Sequence, residues 1–105
     1  MAQEKVNIYE RIRERVVVYL IEQVGDMAVQ GHPHYDKEIE RWRVPVYCRT
    51  FRGTLLGGEI QLTKRLRIAF ATPRQEMVRN VEAQLKQLNK VRLPNLPSAF
   101  FSATR

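Results

Sequence analysis

Two histidines bracket a proline early in this chain, His32-Pro33-His34, with Asp36 two positions on and the one cysteine, Cys48, further along. Imidazole, carboxylate and thiolate are the donors that zinc takes, but a structural zinc site needs four of them held rigidly. A His-x-His step in a loop supplies two, and Cys48 falls on the apolar side of a strand, where it reads as a small buried hydrophobe. The spacing therefore points to surface histidines beside a turn, and no metal is expected.

The residues with catalytic potential are His32, His34, Asp36, Tyr47, Cys48 and Glu59. They contain no recognisable set of nucleophile, base and orienting group. Gly57-Gly58 lacks the lysine and the spacing of a phosphate-binding loop or a dinucleotide fingerprint, so turn or bulge geometry explains it better. The balance favours a non-enzymatic protein with no cofactor.

The cations offer more. Residues 1–42 hold six Lys/Arg against eight Asp/Glu, whereas residues 43–105 hold twelve against three. The net charges are thus −2 and +9, within a total of +7. A polyanion would meet the second part of the chain. Arg43, Tyr47, Arg49 and Arg67 alternate with apolar residues, and Arg52, Lys64 and Arg65 sit at the turns between them. Cations for phosphates beside a π surface are what nucleic acid asks for. Two features weigh against it: one aromatic on that face, and Glu59 in its middle.

The elements that would position these residues follow from periodicity. Apolar residues fall on even numbers: Trp42, Val44, Val46, Cys48; Leu56, Ile60, Leu62; Leu66, Ile68, Phe70. Period two predicts strands with one buried and one wet face. Pro45 places the first strand at an edge, or sits on an unpaired side. Gly53 suits the first hairpin, and Gly57-Gly58 predicts a bulge in the second strand. The turn at Thr63-Lys64-Arg65 has no glycine or asparagine to define it.

Before the strands, Tyr9, Ile12, Val16, Leu20 and Val24 step by three or four, predicting a helix over Val6–Val24 with Gly25 as its C-cap. The β-branched run Val16–Ile21 is the competing strand signal. Apolar residues nearly all round that half suggest a second contact surface. Residues 26–41 read as a long connector broken by Gly31 and Pro33. After the strands, Thr72, Pro73 and Gln75 announce a helix with a capping box, continued by Met77, Val78, Val81, Leu85 and Leu88.

The expected fold is α+β, in the order α-β-β-β-α. A three-stranded antiparallel sheet carries both helices on one face. Residues 1–90 form one compact domain and residues 91–105 a proline-containing apolar tail. Its Leu93, Leu96, Phe100 and Phe101 are expected to dock on their own domain or on a partner. The core should hold Ile12, Val16, Leu20, Trp42, Val44, Val46, Ile60, Leu62, Ile68, Phe70, Val78, Val81 and Leu85. With one cysteine and no run of about 20 apolar residues, the chain reads as cytoplasmic with no membrane partner. The functional expectation is a small binding module whose basic sheet face (Arg43, Tyr47, Arg49, Arg52, Lys64, Arg65, Arg67) holds a polyanion such as nucleic acid. The competing expectation is a protein-interaction or accessory subunit, a homodimer or hetero-complex, using the apolar helix face and the tail.

Overall fold

The computed structural model describes residues 7–90. The expected roles of Leu93, Leu96, Phe100 and Phe101 lie outside the described residues. The described residues form two helices and five antiparallel strands: α1 (Ile8–Gln23), β1 (Ala28–Gln30), β2 (His34–Asp36), β3 (Arg41–Thr50), β4 (Gly53–Leu62), β5 (Ile68–Ala71) and α2 (Arg74–Lys90). The fold is α+β, with five strands rather than three.

The two additional strands come from the stretch read as a connector. Ala28, Val29 and Gln30 pair with Cys48, Tyr47 and Val46, and His34, Tyr35 and Asp36 pair with Arg43, Trp42 and Arg41. Both lie on the same side of β3, as one strand broken at Gly31-His32-Pro33. Strand β3 is therefore central, not at an edge. Pro45 is tolerated there because its carbonyl accepts from the Gly31 N–H at 2.7 Å, so its missing N–H also faces the break.

Helix α1 forms through the β-branched run. The Asn7 side chain caps it by accepting from the Tyr9 N–H at 2.8 Å. Gly25, at φ 107°, ends it, its N–H reaching back to the Leu20 carbonyl at 2.8 Å. Ile12, Val16 and Leu20 of α1 and Val24 just after it enter a single core with Val44, Val46 and Cys48 of β3, Ile60 and Leu62 of β4, Leu66, and Met77 and Val81 of α2. Both helices thus share the even-numbered face of the sheet. Trp42 and Leu85 are half-buried against this core.

The strict even-number rule fails in two places. Gly57 has no partner between the pairs Val46↔Gly58 and Tyr47↔Leu56, and this bulge reverses the side on which residues before it emerge. Leu55 consequently packs on the core and Leu56 is 48% exposed beside Tyr47. Gly57 is needed there because a Cβ would come within 2.8 Å of the Cys48 sulfur. Asn80 of α2 donates to the Gly57 carbonyl at 2.7 Å, satisfying a group near the bulge. A second irregularity lies between Gln61↔Phe70 and Leu62↔Ile68. Phe70 lands opposite Gln61 on the open face, 44% exposed, and Ile68 is 39% exposed at the rim. Neither belongs to the core.

The capping box is corrected too. The Thr72 hydroxyl is occupied with the Glu59 peptide, accepting from its N–H at 3.0 Å and donating to its carbonyl at 3.2 Å. Helix α2 starts two residues later, with the Pro73 carbonyl accepting from the Met77 N–H at 3.0 Å.

Candidate functional site

The open face of the sheet carries Arg41, Arg43, Tyr47 and Arg49 of β3, Glu59 and Gln61 of β4, and His34 and Asp36 of β2. Its centre is a closed polar network. Arg43 makes a two-pronged contact with Glu59, Nε to Oε1 at 3.0 Å and Nη2 to Oε2 at 2.8 Å, and donates through Nη1 to Asp36 Oδ2 at 3.0 Å. Gln61 donates to Glu59 Oε2 at 2.7 Å and accepts from Arg41 Nη1 at 2.9 Å. Planar guanidinium and carboxylate match each other in this geometry.

The Arg43 guanidinium holds the Glu59 and Asp36 carboxyls below their ordinary pKa values, and those carboxylates raise its own. With two carboxylates on one guanidinium, Arg43 presents no free charge to a ligand.

Of the other cations expected to bind, Lys64 has a carboxylate partner, whereas Arg49 and Arg52 donate to neutral oxygens and keep their charge. Arg49 donates to the Asp26 carbonyl at 3.0 Å, fastening the segment after α1. Arg52 donates to Asn89 of α2 at 2.9 Å. Lys64 pairs with Glu40 at 3.2 Å, with both groups largely exposed. Tyr47 lies over Gly31, where a Cβ would come within 2.7 Å of its ring.

Arg65 and Arg67 stand apart. They flank Leu66, which is buried and adopts φ 63°, the left-handed region. That conformation costs a leucine roughly 1–2 kcal/mol, and burial of its side chain offsets the strain. Around it, the Thr63 N–H donates to the Arg67 carbonyl and the Leu66 N–H to the Thr63 carbonyl, both at 2.8 Å. Leu66 anchors the turn, so its two neighbours project.

They project beside α1. A groove of about 690 Å³ runs between the helix and the β4–β5 turn, with Arg11, Arg15, Arg65 and Arg67 facing it against Glu14 and Glu22. Val18, Tyr19, Leu66 and Ile68 complete the lining. Among the described residues, none of the four guanidiniums makes an ion pair or a side-chain hydrogen bond. Arg11 and Arg15 were absent from the sequence expectation. Their i, i+4 spacing put them on one strip of the helix, but only the packing of α1 decides what that strip faces.

The two histidines separate. His32 stacks on Tyr9 of α1, centroids 5.2 Å apart, in an aromatic group with Trp42 and Tyr35. His34 pairs with Arg43 in register and shares the open face. Cys48 is buried, which raises its thiol pKa. Among the described residues no three His, Cys, Asp or Glu side chains group as a metal set, and no helix is long and apolar enough to cross a membrane.

Comparison of the chain with protein-family models, with curated proteins and with solved structures finds no match in any of the three.

Proposed function

We propose that this protein is a non-enzymatic binding module for a negatively charged macromolecule, nucleic acid being the example that its basic composition brings first. The groove between α1 and the β4–β5 turn is the docking site in this reading. The observation that carries it is the gathering of Arg11, Arg15, Arg65 and Arg67 around one groove with no described acidic partner in contact. Arg43, central to the sheet face, is matched by two carboxylates instead. Cations without partners are the ones that release counterions when an anion binds. A cytoplasmic location goes with this reading, supported by a single, buried thiol.

The test is a fluorescence-anisotropy titration of labelled RNA, DNA and polyglutamate at low and near-physiological salt. Binding that weakens with salt and fails in an Arg65→Glu, Arg67→Glu variant is expected. No binding of any of the three at low salt would retire the reading.

A second reading, an interaction or accessory subunit, is favoured by one observation. Val17, Val18 and Ile21 are 40%, 54% and 67% exposed on α1, an apolar strip of the kind that partner surfaces use. Light scattering on the full chain distinguishes a dimer from a monomer, and Ile21→Asp should shift a dimer toward monomer.

A further inference from the structure

We propose that the anionic partner is a protein segment: an extended stretch alternating acidic and apolar residues, which adds a strand to the free edge of β5. The inference rests on the anion-binding reading of the groove and names the partner class.

Strand β5 ends the sheet, and among the described residues no strand pairs with its outer side. Such an edge presents unpaired backbone N–H and C=O groups and accepts another extended chain. Natural edges are guarded by Lys or Pro on the strand, by brevity or by bulges. Ile68-Ala69-Phe70-Ala71 carries neither Lys nor Pro; β5 is short and its register shifts against β4, which limits the added ladder to a few residues. The groove lies directly beside this edge, since Ile68 belongs to both.

Alternation follows from the two sides of an added strand. Successive side chains point to opposite faces. Those on the helix side would meet a groove whose four arginines, Arg65 and Arg67 nearest, outnumber Glu14 and Glu22. Those on the other side would lie over Phe70, 44% exposed on the open face. The first set is therefore acidic and the second apolar.

Charge also excludes the simplest rival. A second copy of this chain, joined antiparallel at β5, would offer Ile68–Ala71, which carries no carboxylate, and so would leave Arg65 and Arg67 unmatched. Nucleic acid fits the arginines but cannot continue a backbone ladder. The one aromatic of the groove, Tyr19, is packed against the core and offers no stacking platform for bases.

The probe is a fluorescein-labelled ten-residue peptide alternating Glu and Val, titrated into the full chain. Three comparison probes accompany it: the same peptide with Lys for Glu, one with alternate backbone nitrogens methylated, and a labelled RNA duplex. The expected result is binding by the Glu/Val peptide, with a loss of at least about tenfold on N-methylation and in the Arg65→Glu, Arg67→Glu variant. Amide exchange at Ile68–Ala71 should slow in the complex. Equal binding of methylated and unmethylated peptides, or unchanged exchange at Ile68–Ala71, overturns strand addition. RNA that binds through the same arginines while the peptide does not sinks this proposal and leaves the broader reading standing. No anion bound at low salt ends both.

Discussion

On the open face of the sheet, Arg43 is gripped by Glu59 and Asp36; beside α1, Arg65 and Arg67 stand with Arg11 and Arg15 around a groove. The cations are chemically the same, and their surroundings give them different work. Strand register brings Arg43 opposite Gln61 and diagonal to Glu59, so cross-strand pairing absorbs its charge. The β4–β5 turn has no such partner strand. Its arginines project because the residue between them, Leu66, is drawn into the core. The lesson is that a surplus of positive residues is not a positive surface. What matters is where the fold gathers guanidiniums around one surface without carboxylates in contact.

Both regions rest on one core, so the largest effect should come from damage beneath them. Ile60→Ala empties a fully buried site and should cost about 2–5 kcal/mol in chemical denaturation, weakening groove and open face alike. Gly57→Ala should cost about 1–3 kcal/mol, because the added Cβ meets the Cys48 sulfur at 2.8 Å and Met77 at 3.4 Å. A neutral result there would mean that the bulge can shift, and that Leu56 is free to change sides.

The next two effects separate the regions. Arg65→Glu with Arg67→Glu should weaken anion binding by at least about tenfold while circular dichroism and the melting temperature stay near wild type, since both side chains are exposed. Arg43→Gln should leave anion binding within about twofold and instead change stability as a function of pH. In the folded chain Asp36 and Glu59 titrate below their ordinary values because Arg43 faces them. Their contribution is therefore complete above the usual carboxylate range, about pH 4, and is lost as pH falls through it toward the folded values. Thermal melts between about pH 6 and 2 should show a shallower acid loss in Arg43→Gln than in wild type. Identical profiles would mean that the contact contributes nothing to folding.

Much of the architecture could be read from local pattern. The three-and-four spacing of Tyr9, Ile12, Val16 and Leu20 outweighs the β-branched run among them, because burial against the sheet rewards that stripe. Period two located β3 and β4. The short strands β1 and β2 could not be read, since three-residue segments on either side of Gly31 and Pro33 gain their structure by pairing with β3 and not from their own propensity. Leu56 and Phe70 were misplaced because a bulge or register shift changes parity, and sequence does not show which residue is skipped; Ile68 keeps the face of Leu62 but lies at the rim of the sheet. The candidate site was half legible. Arg65 was identifiable as a turn cation, whereas Arg67, expected on the sheet face with Arg43, lies in the β4–β5 turn beside α1. Arg11 and Arg15 formed no part of the expected site, and the left-handed Leu66 that fixes the turn carries no sequence signal at all.

The account turns on which cations are free, and one comparison tests it directly. Wild type, Arg43→Gln, and Arg65→Glu with Arg67→Glu would be titrated against the same labelled polyanion across a series of salt concentrations. The expected result is that wild type and Arg43→Gln share one affinity and one salt slope. The double variant should bind more weakly, with a slope lower by about two if the polyanion is nucleic acid. Loss of binding in Arg43→Gln, with the double variant unaffected, would contradict the account and return the site to the open face of the sheet.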